Sequence, residues 1–314
     1  MWRHGIGFAE CFGLSPLGER LREAAVTFRG DPSTPRSRFD HTSLALLRPS
    51  LSLPLWLGRQ PGGRLSPVYN FFCHDQPDLA LGWSVQVRRA VDWRGGRLTY
   101  DSHNGTDFAV PPGAAVVAAA PGVVLRVSNE FNRGGLKVFI DHGDGLFTSY
   151  NHLARAQVQV GERVERGQRL ALSGASGIDG FLLFPWSTPH LHLNCWLDGT
   201  YVDPFARPGE IPLWATGENQ PRPCRARQHN EAWEPTDWDE RAIEAALRAC
   251  VHPGSRRDIE SAEFPGARGM NTHFHMSYFP TRFTARPRLV RGAHPRSPRL
   301  DLPLAAEEYD GALF

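Results

Sequence analysis

The stretch TPHLHLNCW, residues 188–196, decides how the middle of this chain folds. Polar and apolar side chains alternate through it, which is the period of a strand and not of a helix. His190, His192, Asn194 and Trp196 then share one face, and Leu191, Leu193, Cys195 and Leu197 share the other. The leucine face is what a core accepts. The other face holds two imidazoles pointing the same way, so this strand forms one wall of whatever the chain does.

Upstream, the pattern continues. AVVAA, GVVLRVS, LKVFIDHG and LFTSYNHL are β-branched or alternating runs with glycine-containing breaks between them. Residues 100–205 therefore read as closely spaced short strands. Residues 1–99 read as irregular, with one helix opened by Ser15 as N-cap and Pro16 in the first turn. Residues 206–314 begin with a proline-rich linker. A helix follows, with Thr236 as N-cap and Trp238, Ala242, Ile243, Ala246, Leu247 and Cys250 on one face. The tail after Pro253 is basic and reads as a strand pair.

Composition bounds the function. The chain has 314 residues, 41% of them apolar, with 31 Gly and 26 Pro. That is enough for a core, and it favours short strands over long helices. A net charge of +2 excludes a polyanion binder as a whole, and no aromatic-interleaved nucleic-acid motif is present. The basic charge is uneven. Between Phe264 and Leu300 there is no Asp or Glu, while Arg268, Arg282, Arg286, Arg288, Arg291, Arg296 and Arg299 fall there. This is a solvated face, a partner for the acidic run Glu231, Glu234, Asp237, Asp239, Glu240 and Glu244, or a surface for an anionic wall polymer or membrane. The five cysteines are scattered with no CxxC, which suggests reduced, buried thiols. MWRHGIGFAE has no apolar core of the kind a secretory signal needs, and LALLRPSLSLPLWLG is broken by Arg48, Pro49 and Pro54. The chain as written is expected to be soluble, without a transmembrane segment.

A second stretch, SHNGTDFAVP (102–111), sets His103 and Asp107 four apart around a glycine. Alone it is a surface turn or half of a metal site. It has company in His152, His190 and His192. Imidazole and carboxylate suit zinc, and a catalytic zinc keeps three protein ligands and an open position. Two His and one Asp satisfy that count, and two His are left over for chemistry.

At these residues the chain resembles the lysostaphin-type (LytM-like) zinc metallo-endopeptidases, whose pattern is H-x-x-x-D, an H after a strand, then H-x-H. Here that is HNGTD, SYNHL and HLH. The segments DFAVPPGAAVVAAAPGVV, VFIDHGDGLFTSYNHL, VQVGERVERGQRLALSGASG and YVDPF are similar to the family's supporting context, over about residues 100–205. The resemblance implies a mainly β fold with a compact antiparallel β-sandwich or barrel-hybrid core; it does not cover the irregular N-terminal extension (1–99), expected to pack on that core, or the α/β C-terminal extension (206–314). It implies one Zn2+ held by His103, Asp107 and His192, with His152 and His190 as the catalytic pair. It implies hydrolysis of peptide bonds in peptidoglycan bridges or stems, and so a periplasmic or envelope location if that is the substrate. No H-E-x-x-H is present, so a neutral histidine would serve as general base. The alternative is a non-catalytic LytM-like module that binds wall material or regulates a partner enzyme. A lipoyl-type carrier is set aside: VGERVERGQRL has the rhythm, but no lysine sits at a hairpin tip.

One departure from the family stands out. IDGFLLFPWS, residues 178–187, intervenes before H-x-H. It either fastens a flanking third to the core or walls the groove, with Trp186 and Asn194 as substrate contacts. His142 is expected to be structural, and His273 and His275 of THFHMSY to lie on an ordinary strand face.

Overall fold

The computed structural model describes residues 2–225 and 231–314. The H-x-H stretch is strand β9, and the sheet is built outward from it. The strands are β1 (Leu65–Asn70), β2 (Thr106–Ala109), β3 (Ala115–Val117), β4 (Gly122–Glu130), β5 (Gly135–Asp141) and β6 (Leu146–Ala156). They continue as β7 (Arg163–Val164), β8 (Arg169–Ser173), β9 (His190–Leu197), β10 (Thr200–Tyr201) and β11 (Gly311–Leu313). Their order is β11-β1-β2-β9-β6-β5-β4-β7; β10 pairs with β9, and β8 joins β3 to β6. Every pairing is antiparallel except β1 with β11. The molecule is mainly β, as its sequence implies, and the helices lie outside the sheet.

The alternation in β9 is realised. Leu191, Leu193 and Cys195 are fully buried in the main core with Phe108, Val138, Tyr150 and Trp214. Fully burying one such side chain is worth about 1.5–3 kcal/mol, so register here is strongly fixed. The histidine face divides in two along its length. Trp196 packs with Phe139, Phe147, Trp238 and Phe274, under helices from the C-terminal third. The other half carries the histidines.

The flanking thirds differ from expectation. Residues 1–99 are not irregular: they hold α1 (Phe8–Cys11), α2 (Leu17–Arg29), α3 (Pro49–Trp56) and β1. Pro16 is the N-cap residue of α2, so the expected Ser15 cap lies one position too early. The broken greasy run is α3, with Pro49 in its first turn. The insertion contains α4 (Ile178–Leu182). The acidic-region helix is α5 (Glu240–Ala249), with the expected apolar face, but Asp239 caps it through Ala242 N. Thr236 bonds Asp141 instead, at 2.7 Å. The tail is not a strand pair. It forms α6 (Pro253–Glu260) and α7 (Pro265–Tyr278), each with proline in its first turn. Part of the arginine-rich tail pairs with the acidic run, Arg268 with Glu244 and Arg291 with Asp237. Cys11, Cys73, Cys195 and Cys250 are buried free thiols. No helix among the described residues is long and apolar enough to cross a membrane.

Candidate metal centre

Two sets of potential ligands, nearly all buried, converge on the other half of the histidine face and share His192: His103, Asp107 and His192, and His152, His190 and His192. Register explains it. Asp107 on β2 lies opposite His192 on β9, and Ala109 lies opposite His190. On the other side of β9, Asn151 of β6 lies opposite His192, which sets His152 at the same end. His103 is brought in by the turn before β2.

That turn answers why a glycine separates His103 from Asp107. A Cβ on Gly105 would lie 2.6 Å from His192 Nε2 and 2.4 Å from the Leu193 carbonyl oxygen. The His192 imidazole occupies the space that a side chain would need.

Hydrogen bonds assign the tautomers. His103 Nδ1 lies 2.6 Å from the Phe71 carbonyl, His152 Nδ1 2.8 Å from that of Ser176, and His190 Nδ1 2.7 Å from that of Thr188. A carbonyl only accepts, so each Nδ1 carries the proton and each Nε2 is left as a lone pair. His192 faces the cluster through Nδ1 instead. Its Nδ1 is 2.7 Å from Asp107 Oδ1 and 3.1 Å from His103 Nε2, and His103 Nε2 is 3.1 Å from the same Asp107 oxygen. The other Asp107 oxygen accepts from Asn70 Nδ2 at 2.8 Å.

Two nitrogens and one oxygen thus form a nearly equal-sided triangle. Tetrahedral zinc with bonds of about 2.0–2.1 Å separates its ligand atoms by roughly 3.3 Å, so this donor set fits such an ion. Burial alone would raise the Asp107 carboxyl, but His103, His190 and His192 outweigh it and hold the group well below the usual carboxylate range. Burial pushes His192 down to about 4, against the pull of Asp107, and also lowers His152. Both are neutral at pH 7, the state that a metal ligand or a general base requires.

His152 and His190 flank the triangle with ring centroids 4.6 Å apart. His190 Nε2 lies 3.5 Å from Asp107 Oδ1. His152 has a left-handed backbone, φ +60°, costly for a non-glycine residue. Two backbone bonds hold it there, its N–H to Gly134 and its carbonyl from Gly174 N–H.

All five expected residues of the cluster meet, and the two expected groove residues do not join them. Asn194 is fully buried; its Oδ1 accepts from Ser149, Asn151 and Tyr278, and its Nδ2 donates to Asn104. It ties strands together and is no groove contact. Trp186 is 49% exposed on the insertion. Phe181 and Phe184 of the same segment pack on Phe12, at 5.6 and 5.5 Å, so the insertion is fastened to the N-terminal third. His142 is structural, bonded to Pro121 O and Thr148 Oγ1. His273 and His275 lie on α7, not on a strand, and face Trp196 and Asp258 respectively.

Sequence reasoning missed Asn70, Asp179 and Tyr69. Asp179 Oδ2 lies 3.7 Å from His152 Nε2, and the Tyr69 ring 5.6 Å from that of His190. The run LSPVYN was legible as a strand but for its proline, which demotes such a segment to an edge. Nothing local linked it to Asp107.

The similarity to a known family falls on the stretch that carries this cluster. The model for peptidase family M23 matches residues 101–204. An uncharacterized metalloprotease of Haemophilus influenzae is 33% identical over 135 residues, 42% of this chain and 27% of that protein. The peptidoglycan DD-endopeptidase ShyA of Vibrio cholerae is 39% identical over 112 residues, 35% of this chain and 24% of that protein. A crystal structure of a zinc containing peptidase from Vibrio cholerae aligns at 28% identity with a TM-score of 0.33, covering 45% of this chain and 38% of that one. The matches span about a quarter of the length of these curated relatives. Residues 101–204, where H-x-x-x-D and H-x-H meet in one cluster, thus match peptidase family M23, with relatives and structural neighbours of the LytM/lysostaphin type.

Proposed function

We propose that the protein is a zinc-dependent metallo-endopeptidase that hydrolyses peptide bonds in peptidoglycan cross-bridges or stems. The observation that carries this is the donor triangle of His103 Nε2, Asp107 Oδ1 and His192 Nδ1, whose ligand atoms lie 2.7–3.1 Å apart. These three residues would hold the ion. When bound, zinc supplies Lewis acidity to the scissile carbonyl and to a water.

The remaining work falls to the chain. Asn70 fixes the Asp107 carboxylate, and the Phe71 carbonyl fixes the His103 ring. In the neutral ring of His152 and of His190 the proton sits on Nδ1, where a carbonyl accepts it, and the lone pair lies on Nε2. One of them accepts at Nε2 the proton that the attacking water gives up, and returns it to the leaving amine. The other stabilises the charge that develops on the carbonyl oxygen. Peptidoglycan as substrate is supported by the curated relatives named DD-endopeptidases, ShyA among them. All five residues are present and converge, which favours turnover over a binding module.

Metal analysis of the purified protein, with mass spectrometry of products released from purified sacculi, tests both halves. About one zinc per chain and newly freed peptide ends are expected. A metal-loaded protein that releases nothing would leave only binding.

A further inference from the structure

Five arginines are buried to nine-tenths or more: Arg20, Arg126, Arg133, Arg166 and Arg282. Three of them carry two carboxylates each. Arg20 pairs with Glu19 and Glu23, Arg126 with Glu130 and Asp258, and Arg166 with Glu231 and Asp301. Among the described residues, Arg133 and Arg282 pair with none.

Arg133 sits in the turn between β4 and β5, one residue before Gly134, whose carbonyl holds the His152 N–H. Its guanidinium lies 5.6 Å from the Trp83 ring centroid and 5.7 Å from that of Phe279. Only Nη1 has partners among the described residues, the Asn132 carbonyl at 2.8 Å and Ser37 Oγ at 3.4 Å. Its Nε is buried with no partner. Arg282 lies 3.8 Å from the same Phe279 ring, and its donors are taken up by the hydroxyls of Thr34 and Ser255. Two positive charges therefore share one aromatic ring with no carboxylate in ion-pair contact among the described residues, and Asp31 acts on Arg282 only from a distance.

Burying an ion without a partner costs several kcal/mol. Folded chains keep such a defect where function uses it. A guanidinium is a planar fork whose paired N–H groups match a carboxylate. Arg282 has spent its donors and adds only field; Arg133 has not. The place is suitable. The Trp83 ring beside Arg133 lies 6.4 Å from that of Tyr100, and Tyr100 lies 4.6 Å from the His103 ring, so a short chain of rings joins the guanidinium to the histidine cluster. Asp179, beside His152, is 57% exposed at its side chain and makes no ion pair with Arg133, so it offsets that charge only weakly.

We propose that Arg133 is a carboxylate-binding subsite: it pairs with a free carboxylate on the peptide held across the histidine cluster, on a residue adjoining the bond to be cut. This rests on the peptidase reading above and names a chemical feature of the substrate.

The test uses soluble muropeptides from purified sacculi, native and with their carboxylates converted to amides by carbodiimide coupling. Binding is measured by calorimetry on metal-loaded protein carrying His152→Ala to stop turnover. Native muropeptides should bind about tenfold or more tightly than amidated ones, as expected for a charge-assisted pair. Arg133→Met should abolish that preference, and Arg133→Lys, which keeps charge but not the fork, should restore part of it. In the otherwise unaltered enzyme, Arg133→Met should raise KM about tenfold with kcat little changed. Its thermal midpoint should be at least that of the parent, since an unpaired buried charge is gone. An unchanged preference in Arg133→Met overturns the proposal. So does a lowered midpoint with KM and preference intact, which would make the residue structural. Should Arg133→Met fail to fold, an Arg133→Lys protein with full preference overturns it equally. A protein that shows the preference but hydrolyses nothing keeps the subsite and rejects the peptidase. Hydrolysis indifferent to amidation does the reverse.

Discussion

Gly105 and Asn70 show how single residues prepare the cluster without belonging to it. Gly105→Ala would drive a methyl into the His192 ring and the Leu193 carbonyl, at 2.6 and 2.4 Å. Neither neighbour can yield, because one is a proposed ligand and the other is in a strand ladder. The variant is expected to lose zinc, read as metal per chain. Full occupancy would show that the ring has room to move. Asn70→Ala removes the bond to Asp107 Oδ2 and little else. Outer-shell losses of this kind typically cost about 10- to 100-fold in metal affinity, measurable by chelator competition. An unchanged affinity would reduce Asn70 to a packing residue. By contrast, His103→Ala or His192→Ala should abolish both zinc content and activity, while His152→Ala and His190→Ala keep the metal and lose about 10²–10⁴-fold in turnover. The five were legible in sequence because their spacing is local: H-x-x-x-D is one turn and H-x-H is one strand face. Asn70, Asp179 and Arg133 were not, because each reaches its role through pairing or packing across tens of residues.

At the scale of elements, the same distinction separates what was read correctly from what was not. β4, β5, β6 and β9 alternate or run apolar between glycines, so their type and faces follow from the residues themselves. The error at α7 is instructive. THFHMSY alternates like a strand, yet Ala267, Met270, Phe274 and Tyr278 recur at helical spacing and are all buried. The longer period won because it buries a continuous stripe against β4 and β5. The α4 insertion offers a clean test of two roles in one segment. Phe184 packs on Trp56 at 4.9 Å and on Phe12, though it is 41% exposed. Phe184→Ala should cost about 1–3 kcal/mol in denaturant unfolding, less than the ~3–5 of a fully buried phenylalanine. Trp186→Ala, at a half-exposed position, should leave stability within about 0.5 kcal/mol while kcat/KM falls. A destabilised Trp186→Ala enzyme with normal turnover would assign the whole segment to fastening.

For the whole molecule, acid is the natural stress. Burial holds His142 down to about 3 and His273 to about 4, and no acidic partner opposes it at either ring. A folded imidazole pKa below the unfolded ~6.5 means that the folded chain binds fewer protons between the two values. Stability is therefore intact above about pH 6.5 and is lost progressively down to the folded values, with His273 alone accounting for roughly 3 kcal/mol. Buried carboxyls such as Asp203, raised by burial, act in the opposite sense but are fewer at such depth. The midpoint of thermal unfolding should fall steeply from pH 7 to pH 4, and His273→Phe, whose ring faces Phe147 and Trp196, should flatten that slope. An unaltered slope would place the acid sensitivity elsewhere.

Among the 35 basic side chains of this chain only one, Lys137, is a lysine. It is wholly buried, its ammonium held by the carbonyls of Arg133 and Gly135 and by Glu130 at 2.6, 2.8 and 2.6 Å. Every other cation is a guanidinium. The folded surface thus presents no side-chain amine to acylating reagents, reducing sugars or isopeptide-forming enzymes. Chemistry that targets lysine becomes a gauge of unfolding: Lys137 reacts only when the hairpin beneath His152 has opened.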